Sequence, residues 1–383
     1  MKTSHRENPP KKADYIIVGG GLAGLQLALS MSEDVFFQEK QILIFEPSAK
    51  TVNDKTWCFW EKGLGKWDNI LHAQWKKGKF ITQEQSRFLE MGNYQYKMIR
   101  ALDFYNYALK QLSANKNFYL IPKEVKKITG RNCITEEGIF QAGHIFDSRI
   151  SDKFKAESGN TILQHFKGII IKSAENVFEK DAFTMMDFRL PYRDLCCFTY
   201  VLPLSSSKAL VEFTFFSPEL LEEEKYDMLI EKYIQKYLKL KKFEILETEK
   251  GVIPMSDFKF WKANNQDLTK IGTAGGWVKA SSGYSFKNTE KKSRQIIENI
   301  KQNKLPSANL INQRYVLYDR ILLRILKQKN YLGKSILQQM YFKNKADEIF
   351  KFLDEETNLY EDFKLINRFE RSPFLWSLSK EFI

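Results

Sequence analysis

The sequence predicts an α/β fold, and three observations carry that prediction. A short apolar run, Tyr15-Ile16-Ile17-Val18, enters a glycine turn, Gly19-x-Gly21-x-x-Gly24. The turn opens a segment, Leu22 to Met31, with helical apolar spacing at Leu25, Ala28 and Leu29. A second apolar run, Gln41 to Phe45, then ends in a carboxylate, Glu46. Continuous apolar runs of this length read as strands buried on both faces of a parallel sheet. Strand, glycine turn, helix and strand together form a βαβ unit of the Rossmann type.

The spacing has a chemical meaning. Gly19 permits the tight turn, Gly21 lets the backbone approach a pyrophosphate, and Gly24 lets the helix pack on the strand. The pyrophosphate sits on the helix N-terminus, where unpaired N–H groups and the helix dipole favour anions. Glu46 stands about 20 residues further on, where an acid bonds the adenosine ribose hydroxyls. An acid there rather than Arg favours FAD or NAD over NADP at this turn. A late strand–glycine–helix unit, Ile271-Gly272-Thr273-Ala274-Gly275-Gly276, suits a two-part FAD site. Gly63-x-Gly65 lacks a third glycine and reads as a loop.

Between these units the residues from Asn53 to Glu90 are rich in Trp, Gly and Lys without a clear period, and read as long connections with local turns. Tyr96 to Leu112 reads as helical after its first few residues. Short β-like stretches around Phe118–Leu120, Ile128, Ile139–Phe140 and His144–Phe146 suggest a small antiparallel insertion that returns to the parallel sheet at Phe146. Strands are then expected at Gly168–Ile171, Phe183–Met186, Phe198–Val201 and Ala209–Phe216. A charged helix follows Pro218 to about Leu238, a strand covers Lys270–Gly272, and a helix runs near Phe286 to Asn303. The expected architecture is a Rossmann-type FAD-binding domain (residues 13–155 and 266–303) interleaved with a mainly antiparallel β substrate domain (156–265), with a helical, Lys-rich C-terminal tail (304–383).

Composition bounds the function. Sixty Lys+Arg against 47 Asp+Glu give a formal charge of +13. Such a balance favours anionic partners. No RNP-like, zinc-finger or helix-turn-helix signature accompanies it, which argues against nucleic acid and leaves solvated charge or an acidic membrane surface. The four cysteines, Cys58, Cys133, Cys196 and Cys197, show neither metal-ligand spacing nor a disulfide framework, and fit a reducing compartment. Only four His occur, so a histidine metal site is not expected. Met1 to Lys12 reads as a polar tail without an apolar signal core. No apolar run is long enough to span a bilayer. A soluble or peripheral protein is expected. Thirty Phe, 17 Tyr and seven Trp suffice to line a large apolar cavity, although a bulky core uses the same residues.

One more segment stands out, Ala209-Leu210-Val211-Glu212-Phe213-Thr214-Phe215-Phe216. Strand alternation puts Leu210, Glu212, Thr214 and Phe216 on one face. Buried among apolar neighbours, a carboxyl is held protonated and becomes a general acid. On an edge strand it faces water instead.

With these pieces in order, the chain resembles the lycopene β-cyclases, FAD-dependent enzymes of carotenoid synthesis, from about Asp14 to about Asn288. The resemblance rests on the fingerprint Asp14 to Gly24, on Asp54-Lys55-Thr56-Trp57-Cys58-Phe59-Trp60-Glu61 and on Phe146-Asp147-Ser148-Arg149. It continues through Gln164-His165-Phe166-Lys167-Gly168, Met186-Asp187, Leu202-Pro203 with Leu210-Val211-Glu212-Phe213-Thr214, and Gly283-Tyr284-Ser285. Three positions depart from the family pattern. Phe213 stands where an Asp often follows the glutamate, Lys279-Ala280-Ser281-Ser282 replaces His-Pro-Thr-Thr, and Thr273 replaces the Asp of related flavoproteins.

The resemblance implies ring closure at the ψ ends of lycopene, giving β-carotene by way of γ-carotene without net oxidation, with reduced FAD required and NADPH as the expected electron donor. It assigns Glu212 as the acid or cation-stabilising carboxylate. Gly19, Gly21, Gly24, Glu46, Gly272 and Gly275 are the expected cofactor contacts. Arg100 is a further candidate for the flavin or a phosphate, with a surface Arg as the alternative. Asp147 and Arg149 form either a loop ion pair or part of the catalytic apparatus. Trp57, Phe59 and Trp60 line the polyene path or fill core. Lycopene resides in the bilayer, so the enzyme is expected in the cytoplasm, peripherally associated with the inner membrane, with the amphipathic tail either touching lipid or packing as helices. A flavin-dependent monooxygenase or prenyl reductase acting on an apolar isoprenoid is the alternative on the same fold.

Overall fold

A computed structural model describes residues 9–156 and 159–381. Residues 1–8 of the expected polar tail, and residues 382–383 of the helical one, lie outside the described residues.

The chain begins with β1 (Lys12–Val18), α1 (Leu22–Ser32) and β2 (Ile42–Phe45). Five strands follow: β3 (Thr56–Lys62), β4 (Ala73–Trp75), β5 (Lys77–Ile81), β6 (Ser86–Leu89) and β7 (Tyr94–Arg100). Next come α2 (Ala101–Ser113), β8 (Phe118–Ile121), β9 (Lys127–Thr129), β10 (Asn132–Thr135), β11 (Gly138–Asp147) and α3 (Asp152–Ala156). The long strands β12 (Thr161–Lys172), β13 (Ala182–Asp187), β14 (Cys196–Pro203) and β15 (Lys208–Ser217) precede α4 (Glu223–Tyr233), β16 (Glu244–Ser256) and β17 (Leu268–Lys270). The C-terminal part is α5 (Phe286–Lys301), α6 (Gln313–Gln328), α7 (Leu332–Lys343), α8 (Ala346–Leu353), α9 (Leu359–Ile366) and α10 (Arg371–Ser379).

Among the described residues the strands form three sheets. The first runs β8-β2-β1-β11-β10-β9, with β17 also paired to β11. Its β8, β2, β1, β11 and β17 are parallel, and β9–β10–β11 form antiparallel pairs. The period of two puts Ile17, Ile44 and Phe146 under α1, α2 and α5, and sends Ile16, Val18, Leu43 and Phe45 to the face covered by Cys133 and Phe140. The second sheet runs β16-β12-β15-β14-β13-β5-β6. One of its faces carries Leu210, Phe216, Phe198 and Phe183 and packs against C-terminal residues such as Leu323, Met340, Tyr341 and Phe350. The other carries Val211, Phe213 and Phe215 under Leu229, Ile230 and Tyr233 of α4. The third, β3-β7-β4, lies between the two cores: Phe59 and Ile99 enter one, Trp60 and Met98 the other.

Three expectations need correction. Residues from Asn53 to Glu90 are not mainly connections, because β3, β4, β5 and β6 lie there. Phe118–Ile121 is an outer strand of the parallel sheet, and only β9 to β11 make the antiparallel excursion. The 13-residue strand β16 has no counterpart in the sequence reading. β5 and β6 extend the second sheet through the β5–β13 pairing.

Candidate active site

The glycine turn is built as its spacing requires. Gly19 has φ +103°, a conformation that side chains other than glycine's rarely adopt. A Cβ on Gly24 would lie 1.9 Å from the carbonyl oxygen of Gly19, so only glycine lets α1 come this close to the end of β1. Gly21 is the N-cap residue of α1 and makes no side-chain cap, and a Cβ there would meet nothing within 4 Å. The helix therefore presents its first N–H groups to open space. Glu46 reaches back to this turn: one carboxylate oxygen accepts from Gly20 N–H at 2.8 Å, the other from Ser48 N–H at 2.8 Å. Lys50 lies 3.4 Å from the same carboxylate.

The second glycine turn meets the first. Gly272 has φ +61°, and a Cβ there would sit 3.0 Å from Ala23 Cβ at the start of α1. Gly275 approaches the Lys270 carbonyl more closely still, since its Cβ would fall 2.4 Å from that oxygen. Segments 250 residues apart in sequence thus form one cradle.

A cavity of about 410 Å³ extends from this cradle to the inner face of the second sheet. Gly21, Gly24 and Gly272 border it, and so do Trp57, Phe166 and Glu212. Within it the side-chain oxygens of Gln164 and Ser282 and the indole nitrogen of Trp277 are buried, with no hydrogen-bond partner in the described protein. Buried polar groups are nearly always paired. The first N–H groups of α1, facing open space at a phosphate-type turn on the rim of this cavity, fit a pyrophosphate-bearing cofactor.

Glu212 borders the same cavity. It lies on β15, held between β12 and β14, so it is not on an edge strand. Thr214 donates to its carboxyl at 2.7 Å. Burial pushes its pKa well above the ordinary carboxylate range, and the nearby Glu249 carboxylate adds to the shift. Glu249, on β16, is also raised by burial and accepts from the Thr56 hydroxyl at 2.6 Å. Three phenols close this end. Tyr200 stands opposite Glu212 in the β14–β15 register, and the Tyr96 and Tyr284 hydroxyls lie 2.9 Å apart. Burial raises the pKa of all three, so they are neutral. Phe213 points the opposite way, into the core under α4, so the exchange of Asp for Phe at this position does not touch the cavity.

The other sequence candidates are placed as follows. Arg100 is the N-cap residue of α2, and its guanidinium pairs with Glu247. Asp147 pairs with Arg149 at 2.9 Å and with Lys270 at 2.7 Å. Trp57 lines the cavity, Phe59 stacks on Phe286 with centroids 4.6 Å apart, and Trp60 stacks on Phe350 at 4.7 Å while donating to Asp354. Lys279, at the position of the family's His, is buried between Asp319 and Glu355. Among the described residues no cluster of His, Cys, Asp and Glu could hold a metal ion, and no helix is long and apolar enough to cross a membrane. The sequence reading did not find Glu249, Tyr96 or Tyr200. The signal for Glu249 was available: Glu247, Glu249, Gly251 and Ile253 alternate along one strand face.

A glycine-turn parallel sheet whose cavity is completed by an antiparallel sheet is the architecture of FAD-binding oxidoreductases and halogenases. A geranylgeranyl bacteriochlorophyll reductase-like protein from Thermoplasma acidophilum superposes with a TM-score of 0.58 at 13% identity, covering 93% of this chain and 96% of that one. A flavin-dependent brominase, Bmp2, gives 0.61 at 13% identity, with 90% and 93% covered. A probable FAD-dependent monooxygenase from Pseudomonas aeruginosa gives 0.56 at 9% identity, with 84% and 99% covered. Comparison with curated proteins gives no match. Residues 14–377 match the family described as lycopene cyclase protein, and the chain belongs to that family.

Proposed function

We propose that this protein is an FAD-dependent lycopene β-cyclase that closes the ψ ends of lycopene to β rings, by way of γ-carotene, without net oxidation. The observation that carries the reading is Glu212, a carboxyl held protonated on the wall of a cavity that begins at two converging glycine turns.

The chain's residues supply what the reaction needs. Glu212 holds its proton at neutral pH and presents it to the cavity, where it protonates the terminal double bond of the substrate. Tyr96, Tyr200 and Tyr284 line the cavity, where aromatic rings stabilise a nearby cation. Gly19, Gly21 and Gly24 with the N-terminus of α1 would hold the FAD pyrophosphate, and Glu46 its ribose. Gly272 and Gly275 shape the second half of the cradle. Reduced FAD, when bound, would supply a negative charge that stabilises a cation electrostatically. NADPH is the proposed source of the reducing equivalents.

Substrate access requires a lipid surface. The net charge of +13 suits an acidic bilayer, and Leu359, Tyr360 and Phe363 are exposed on α9. Tail helices α6 to α8 bury other apolar residues against the second sheet, so packing and docking are divided along the tail.

The test is Glu212→Gln. It should keep its flavin and lose cyclisation by about 10² to 10⁴-fold, the usual worth of a general acid. Cyclisation at the wild-type rate would contradict the reading.

A further inference from the structure

Glu212 has a partner that the proposed reaction needs. In the antiparallel register Gly168 of β12 stands opposite Glu212 of β15 on one side and opposite Glu249 of β16 on the other. Residues paired in one row point to the same face of a sheet. Both carboxylates therefore stand on the cavity face, about two strand spacings (roughly 10 Å) apart at the backbone. Gly168 puts no side chain between them: a Cβ there would lie 3.1 to 3.3 Å from Leu210 Cδ1 and from Glu212 Cβ and Cγ. Each glutamate is fixed at one oxygen by a threonine hydroxyl, Thr214 for Glu212 and Thr56 for Glu249. Both line the same cavity.

We infer that Glu249 is the catalytic base of the cyclisation, taking the proton that the new ring loses while Glu212 supplies the one that starts ring closure. The inference rests on the cyclase reading above. The steps balance. The proton of Glu212 moves to the inner carbon of the terminal double bond, whose electron pair forms the new C–H bond, leaving a tertiary cation. The neighbouring double bond supplies the pair for the ring C–C bond and leaves a second tertiary cation in the ring. The newly bonded ring carbon then gives its proton to the Glu249 carboxylate, and the C–H pair becomes the ring double bond. Glu249 then releases that proton to water and Glu212 takes one up from water, which restores the starting state. One proton enters and one leaves, so no oxidant or reductant is consumed.

A pair with one proton is what the site favours. Two half-buried carboxylates on one cavity wall do not both ionise readily. The charge on Glu249 is one of the causes that hold the proton on Glu212. The pair thus starts each cycle as one acid and one base.

The experiment compares wild type, Glu249→Gln and Glu249→Asp, each reconstituted with FAD, chemically reduced, and supplied with lycopene in liposomes. Turnover is expressed per bound flavin. Glu249→Gln should fall by about 10²-fold or more, with its residual product shifted to rings whose double bond lies elsewhere, because another proton is lost. Glu249→Asp, which keeps a carboxylate, should recover part of the rate and the β ring. A purely structural role would lower flavin content without changing product identity. Unchanged turnover per flavin with β rings as product in Glu249→Gln overturns the assignment while leaving the cyclase reading intact. Wild-type enzyme that forms no cyclic product removes the cyclase reading and this assignment with it.

Discussion

Gly168 lies directly opposite Glu212 in the β12–β15 register, close enough that a methyl group at Gly168 would touch both Cβ and Cγ of the glutamate at 3.2 and 3.3 Å. That contact is tighter than ordinary van der Waals packing, so the glutamate or the strand must shift. Gly168→Ala should lower turnover by about tenfold or more, since sub-ångström displacement of a reacting group is costly. Flavin content should stay at the wild-type level, because the change is remote from the glycine turns. Parallel assays of bound flavin and turnover check this, and unchanged turnover would show that the row at Gly168 tolerates a side chain.

The pH profile should report the same pair. Glu212 works as the protonated acid, and its pKa is raised by burial and by Glu249. The active form is therefore present below the raised pKa and is lost as pH rises through it. Wild-type turnover should hold well past the ordinary carboxylate range before its basic limb appears. In Glu249→Gln the like charge is gone, so the basic limb of the residual activity should move to lower pH. A limb that does not move would show that Glu249 leaves the Glu212 proton unaffected.

Cofactor retention should depend on Gly24. A side chain there collides with the Gly19 carbonyl, which displaces α1 from the end of β1. Gly24→Val should purify without flavin and bind added FAD at least about tenfold more weakly, a loss of about 1.4 kcal/mol or more. Flavin absorbance and titration of the purified protein check it.

The C-terminal region should be locked by a buried charge cluster. Lys279 Nζ lies 2.9 Å from Asp319 on α6 and 3.1 Å from Glu355, and the lysine is almost wholly buried. Removing one partner of such a pair leaves an uncompensated charge. Lys279→Ala should destabilise the fold by about 3 to 5 kcal/mol, read by denaturant or thermal unfolding. A change within about 0.5 kcal/mol, the range of ordinary surface substitutions, would contradict the lock.

Much of this architecture was legible because its signals are local. Gly19, Gly21, Gly24 and Glu46 are fixed by a turn, a helix start and a strand end, and each shows in a short window of sequence. The strands β12 to β15 showed because their apolar residues are contiguous. What stayed hidden depends on neighbours. In β3 and β7, Phe59 and Ile99 enter one core while Trp60 and Met98 enter another, so burial on both faces erases the alternation that marks a strand. β16 is an outer strand carrying Glu244, Glu247, Glu249 and Lys250, and these charges mask its apolar residues. Pro254 is uncommon inside a strand, although an outer strand accommodates proline. Glu249 was missed with its strand, and its role follows from register across Gly168, a relation between three segments that no single window contains. Glu212 was legible as a candidate, whereas its place on an inner strand and on the cavity wall was not.

The central claim is a redox-neutral cyclisation, and product mass tests it most directly. The holoenzyme, with its FAD chemically reduced beforehand, is supplied anaerobically with lycopene in liposomes and the product is analysed by mass and ring type. The account predicts a product of unchanged mass that carries β rings. A product that has gained oxygen or hydrogen would contradict it and place the protein among the flavin-dependent oxidoreductases.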